Sequence, residues 1–233
     1  MTRTHRAASG ALEMPRVLPL SRRRSLVTRH TRLQAVAGVP GVHLHLADDV
    51  DPAWHATGEA LGTASAPIPF WAFAWAGGLA LARYVQEHPA EVAGLRVLDL
   101  GTGSGLVAIA AAQAGATHVI AADIDPFAEA AVGINARANR VHLAFVRRDL
   151  LLEPPPEVDV LLAADTWYEG TLAERVLPWL RSAAARGTRV LLGDPGRKYL
   201  PASGFTELAR YDVRTTTTLE DRDVVEARVF TLA

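Results

Sequence analysis

The chain has 233 residues, of which 49% are apolar, with a formal net charge of -1 and no cysteine. That length suits one α/β domain with an N-terminal extension, and that apolar content excludes wholesale disorder. The cysteine count excludes a disulfide framework, a thiolate zinc site and a cysteine nucleophile; the near-neutral charge argues against a partner held mainly through phosphates; and no apolar run approaches the roughly 20 residues of a membrane span.

Met1 to about Leu33 is rich in arginine and serine, and Glu13 is its only acid. It reads as a disordered tail, with a start at Met14 or a matrix-targeting presequence as the alternatives. Gly41 to Leu46 alternates like a short strand and carries His43 and His45 on one face, followed by the acidic turn Ala47-Asp-Asp. Those histidines lie near Asp48, Asp49 and His55 in sequence, but exposed histidines on an edge are common and no metal is expected. Pro67-Ile-Pro-Phe breaks any helix, Trp71, Phe73 and Trp75 alternate behind it, and Gly77-Gly78 opens a helix over Leu79 to Glu87.

From Arg96 the rhythm becomes short apolar strands between alanine-rich helices. Strands are expected at Val97–Leu100, His118–Ala122, Leu143–Val146, Val158–Ala164 and Arg189–Leu192. Helices are expected at Leu106–Ala114, at Pro126–Asn139 with proline in its first turn, and at Thr171–Ala185. Strands this apolar are buried on both faces, as a parallel sheet covered by helices requires. Leu208–Thr218 and Asp223–Leu232 read instead as two adjacent strands joined by a charged turn. The fold expected is a doubly wound α/β sheet, mostly parallel with a C-terminal antiparallel hairpin, the layout of class I methyltransferases. Residues 1–33 would be the tail, 34–94 an extension and lid, and 95–233 the core.

Asp99-Leu-Gly101-Thr-Gly103-Ser-Gly105 lies between a strand and a helix, where glycines permit a tight turn and a close ligand approach. A dinucleotide G-x-G-x-x-G would need glycine where Leu106 stands. The D-x-G-x-G-x-G found here resembles motif I of the S-adenosylmethionine enzymes, in which the backbone cradles the methionine moiety and Asp99 lies near its ammonium. The next strand ends in Ala122-Asp123-Ile124-Asp125-Pro126, and Asp123 is placed to accept both ribose hydroxyls, with Ile124 beside it. After the third strand, Asp149-Leu150 is placed to meet the adenine edge, Asp149 accepting from its amino group.

Pro69-Phe-Trp-Ala-Phe-Ala-Trp-Ala-Gly-Gly, Asp99 to Gly105, Ala122-Asp-Ile-Asp-Pro, Asp165-Thr-Trp-Tyr168 and Gly193-Asp-Pro-Gly-Arg197 together resemble the lysine methyltransferases of the electron transfer flavoprotein β subunit. These belong to the seven-β-strand protein lysine methyltransferases. The resemblance implies S-adenosyl-L-methionine as cofactor, Trp75 covering it, Ala164 bordering the adenine pocket, and Asp165 and Tyr168 as the acid-x-x-aromatic catalytic pair. Nucleobase and glutamine methyltransferases carry Asn-Pro-Pro-Tyr at that point, which this chain lacks.

On this reading Asp165 receives the substrate ammonium while Tyr168 and Trp167 wall the channel. A carboxylate beside a lysine favours the charged form, which cannot attack, so Asp165 would mainly orient the amine. The alternative for Asp165 is a helix N-cap. The substrate expected is the electron transfer flavoprotein β subunit, with a small-molecule amine or another protein such as a ribosomal protein as alternatives. A cytoplasmic monomer is expected, without nucleic-acid or membrane partners, or a matrix protein if the N-terminus is a presequence.

Overall fold

In the computed structural model, residues 18–63, 68–215 and 222–232 are described. An N-terminal unit comprises α1 (Leu20–His30), β1 (Arg32–Ala35), β2 (His43–Leu46) and α2 (Val50–Leu61). After a short 3-10 turn at Phe70–Ala72 come α3 (Ala76–Glu87), β3 (Arg96–Leu100), α4 (Leu106–Gln113), β4 (His118–Asp123), α5 (Pro126–Ala138) and β5 (Ala144–Arg147). The chain continues through β6 (Val160–Ala164), α6 (Gly170–Ala184), β7 (Arg189–Asp194), β8 (Phe205–Arg214) and β9 (Val224–Leu232).

Seven strands form one sheet in the order β5-β4-β3-β6-β7-β9-β8. The first five are mutually parallel, and β9 lies antiparallel between β7 and β8. Both faces are dry, as the strand sequences require. Val97, Val160, Leu162 and Leu191 pack with α3 and α4 on one side. Leu98, Leu161, Ala163, Val190 and Leu192 pack with α6 on the other. The order reverses at β3, so the crevice for a ligand opens beyond the carboxyl ends of β3, β4 and β6.

The N-terminal part differs from expectation. Part of the segment read as a tail forms α1, which packs on α5, and Arg23 within it is 5% exposed. Its guanidinium pairs with Glu129 at 2.7 Å and donates to the Pro126 carbonyl, so an apparently solvated arginine run hides one buried anchor. Residues 1–17 lie outside the described residues, as do 216–218 of the expected hairpin strand.

The acidic turn Ala47-Asp-Asp is the start of α2. The Asp49 side chain accepts from the Asp51 amide at 3.4 Å, and Gly62 ends the helix at φ 67°. His43 and His45 are held through their backbone amides, which donate to Asn139 and Asn135. Among the described residues no three potential metal ligands cluster.

Candidate active site

A cavity of about 590 Å³ occupies the crevice beyond β3, β4 and β6. Asp99, Gly101, Gly103, Asp123, Ile124, Asp149, Leu150, Ala164, Asp165, Tyr168 and Trp75 all line it. Gly105 stands behind the loop, where a Cβ would press on Val132 of α5 at 3.2 Å.

The loop after β3 turns by placing Gly101, Gly103 and Gly105 at φ 68°, 51° and 85°, which only glycine adopts freely. The amides of Gly101 and Thr102 donate to the Ala122 carbonyl, tying the loop to the end of β4. Asp99 braces it from below: Oδ2 accepts from the Thr102 hydroxyl at 2.6 Å and from the Ala108 amide at 3.1 Å. With 2% of its surface exposed, Asp99 supports the loop and offers a ligand chiefly its charge. Burial, with the Asp123 carboxylate nearby, pushes its carboxyl up to about 6.

Asp123 accepts from the Gly103 amide at 2.9 Å and the Asp125 amide at 3.0 Å, which aims it across the glycine loop. Burial raises its pKa, while backbone donors oppose that shift. Asp125 caps α5 through the Phe127 amide and is pushed up to about 6, again mainly by burial. Three carboxyl groups thus converge on one loop. A pyrophosphate would be repelled there, whereas a ligand carrying an ammonium and a sulfonium is attracted.

At the end of the cavity where the sequence reading puts the adenine, Asp149 is more occupied than that reading suggests. Its Oδ1 accepts from the Leu151 amide at 3.0 Å and its Oδ2 from Arg175 at 2.6 Å, leaving only second lone pairs for an adenine amino group. Leu150 is buried and Ile124 is 69% exposed, giving the cavity one fixed and one outer apolar wall. The glycine cradle, the Asp123 carboxylate aimed across it and these apolar walls fit S-adenosylmethionine.

The other end of the cavity is built by α3, the end of β6 and the loop after β7. Trp75 is half-buried at the N-cap of α3, and its Nε1 donates to the Phe70 carbonyl at 3.1 Å. Its ring lies 5.3 Å from Phe70, and Tyr168 packs on the other neighbour of that cluster, 5.0 Å from Phe70. Tyr168 keeps 43% of its surface exposed; burial, then Glu169 and Asp123, raise its pKa. Phe70 therefore organises both aromatic walls, a role visible in the sequence only as part of the Pro-Phe-Trp segment.

Trp167 does not wall the channel. It is fully buried against Phe205, on the far side of the backbone from Tyr168, and belongs to the α6-side core. The turn after β6 sends Trp167 into this core and Tyr168 to the cavity. Trp71, also fully buried, stacks on Phe127.

Asp165 leaves β6 at φ 54°, a left-handed conformation that aspartate tolerates better than most residues. The turn directs its carboxylate under the start of α3. There Oδ2 accepts from the Gly78 amide at 2.8 Å, with the Gly77 amide also donating. Oδ1 accepts from Arg197 Nε at 3.1 Å and Nη2 at 2.8 Å. Burial raises the Asp165 pKa, opposed first by Arg197 and then by the helix amides. Arg197 also lies 5.6 Å over the Trp75 ring. Its loop is fixed by Asp194, whose Oδ1 accepts from the Gly196 and Arg197 amides, each at 2.7 Å. Asp165 thus does act as a helix cap, but for α3 and not for α6, which starts after Glu169.

This fold and cavity define a class I S-adenosylmethionine-dependent methyltransferase. Residues 80–164 match the family model described as ribosomal protein L11 methyltransferase (PrmA). The chain is 33% identical over 213 residues to the electron transfer flavoprotein β subunit lysine methyltransferase of Xenopus laevis, covering 89% of this chain and 85% of that one. The chain belongs to that family, and the enzyme is an N-methyltransferase. The mouse relative of the same name is 41% identical over 131 residues, a match spanning 55% of this chain and about half (51%) of that one. Among solved structures, protein 1320 of Thermoplasma acidophilum matches with a TM-score of 0.50 at 20% identity, over 65% of this chain and 86% of that one, a likeness of fold.

Proposed function

We propose that this enzyme methylates the side-chain amine of a lysine in a protein, and that the protein is the β subunit of electron transfer flavoprotein. The observation that carries this reading is the placement of Asp165 and Arg197. Their side chains are only 12% and 18% exposed, at the base of a mouth walled by Trp75 and the more exposed Tyr168. A slender, flexible side chain suits that approach, and the family name of the relatives points to lysine.

When bound, S-adenosylmethionine supplies the methyl group: the amine lone pair forms the new N–C bond while the C–S bond breaks and its electron pair goes to sulfur. The chain's own contribution is alignment and the exclusion of water. Trp75, Phe70 and Tyr168 shed water from the amine, and Asp165 fixes the wall along which it enters. The amine gives its proton to solvent before transfer, since an ammonium has no lone pair.

The test is methyl incorporation from labelled cofactor into purified electron transfer flavoprotein β subunit of the same organism, with digestion and mass spectrometry to locate the residue. Label on a lysine supports the reading. Label on ribosomal protein L11 instead would place the activity with the family whose model matches residues 80–164. Label only on small amines would refute a protein substrate. Among the described residues no helix is long and apolar enough to cross a membrane.

A further inference from the structure

We propose that Arg197 is a positioning residue that keeps Asp165 charge-balanced throughout methyl transfer, so that the acceptor site takes lysine as a neutral amine and does not hold it as an ammonium ion. This rests on the reading that a lysine side chain enters beside Asp165.

The argument starts from how fully Asp165 is engaged. Its carboxylate already receives two donors from the first turn of α3 and two from one guanidinium. An incoming ammonium would have to displace Arg197 to become its counter-ion. Three features oppose that displacement. The pair is largely desolvated, and separating such a pair strands a buried charge. The guanidinium lies over the Trp75 ring, and the Arg197 backbone is pinned by Asp194.

Arg228 also lies beside this loop, against Gly196 and in register with Asp194, but among the described residues the cation that holds Asp165 is Arg197. From the β7 side Asp165 faces Arg197, and its charge in turn acts on Asp194; from α3 it faces backbone amides. Tyr168 feels Glu169 and Asp123. Arg197 is therefore the cation that offsets Asp165.

The consequence concerns a proton. A free lysine amine has a pKa of about 10.4, and an uncompensated carboxylate beside it would raise that value and hold the ammonium in place. With Arg197 in position Asp165 exerts no net attraction on an ammonium, and the fixed guanidinium favours the neutral form of the amine. The site thereby avoids binding its acceptor tightly in the one protonation state that cannot react.

The test compares wild type, Arg197→Met and Arg197→Lys as full-length proteins. With electron transfer flavoprotein β subunit as acceptor, Arg197→Met should lower kcat at pH 7 at least about tenfold without raising KM, with the loss shrinking as pH rises through the raised midpoint. That is an upward shift of one unit or more in the midpoint of the pH profile, a unit being tenfold. Arg197→Lys should restore the wild-type midpoint. A loss equal at every pH, or accompanied by a raised KM, would overturn the proposal and leave Arg197 as a loop brace.

A second measurement does not depend on the protein acceptor. Calorimetric titration of n-butylamine at pH 7, with S-adenosylhomocysteine present and n-butanol as the neutral control, should show at least about tenfold tighter binding of the ammonium to Arg197→Met than to wild type. Equal affinity for the two enzymes, or the same gain for n-butanol, would overturn the proposal. Failure of the proposed substrate would appear separately, as an unlabelled β subunit beside an intact butylamine difference. If Arg197→Met does not fold, Arg197→Met/Asp165→Asn removes both charges. Its profile should keep the wild-type midpoint, and a raised midpoint there would also overturn the proposal.

Discussion

Asp165 caps a helix through a residue 87 positions before it: its Oδ2 accepts the Gly78 amide at 2.8 Å, while Trp75, at the N-cap position, makes no side-chain cap. A helix N-terminus carries partial positive charge and unpaired amides, and a carboxylate answers both. The same group holds Arg197, so one side chain ties α3 to the loop after β7.

Asp165→Ala should therefore affect stability as well as chemistry. Removing one partner of a buried pair costs about 3–5 kcal/mol, and α3 loses its cap besides. Turnover should fall at least about a hundredfold, because misplaced walls misalign the amine. Asp165→Asn keeps an acceptor for Gly78 but leaves Arg197 without its counter-charge, and should melt between the two. Melting curves alongside turnover decide this; an alanine variant as stable as wild type would contradict the hub role.

Gly77 and Gly78 should respond oppositely to alanine. A Cβ on Gly77 would overlap the Gly193 carbonyl oxygen and lie 2.7 Å from Asp165 Oδ2. Overpacking of this kind costs about 1–3 kcal/mol. At Gly78 the nearest atom would be 3.7 Å away, an ordinary contact, so the usual gain of about 0.5–1 kcal/mol for alanine in a helix should survive. Chemical denaturation of the two variants should show the first destabilised and the second neutral or better.

Asp123→Ala should weaken S-adenosylmethionine binding by about 1.5–3 kcal/mol, the range for hydrogen bonds to a charged group. Calorimetric titration measures it, with NAD as a control that should give no heat in either protein. An unchanged dissociation constant would assign the ribose to another residue.

Asp194 should make the protein less stable as pH rises from about 4 to 6. Burial, aided by Asp165, pushes its carboxyl up to about 6 from an ordinary 3.8, so between those values the folded state binds more protons than the unfolded state. The penalty is absent below about 4 and complete above 6, and reaches at most about 3 kcal/mol at roughly 1.4 kcal/mol per unit. Its Oδ2 is buried without a hydrogen-bond partner among the described residues. In Asp194→Asn, melting temperatures should gain on wild type from pH 4 to 6 and keep a constant lead above that. A lead that shrinks over that interval would refute the assignment.

The site was most legible where its chemistry is local. The spacing Asp99, Gly101, Gly103, Gly105 and the acid at Asp123 follow from a strand, a turn and a helix in succession, and each lines or backs the cavity. What escaped depends on distant partners. Nothing near Arg23 announces that Glu129 waits on α5, so α1 read as a tail. Trp167 and Tyr168 are equally aromatic, and only the packing of Phe205 decides which one turns inward. Asp149 looked free because Arg175 lies 26 residues away. For α2, by contrast, the signals are local: Asp49 at its N-cap and Gly62 at its end.

The placement of α3 also bears on how the molecule assembles during synthesis. This helix leaves the ribosome early, yet its apolar face packs on β7, β8 and β9, which span residues 189–232. Its cap at Asp165 emerges in between. Until Asp165 is made, this helix of 12 residues has only α4 beside it and no cap, and until β7–β9 arrive it lacks most of its sheet cover; helices of that length are marginal alone. The sheet face under α3 and the wall carrying Trp75 should therefore close last, in a single long-range step, and a nascent chain stalled before β9 should bind no cofactor.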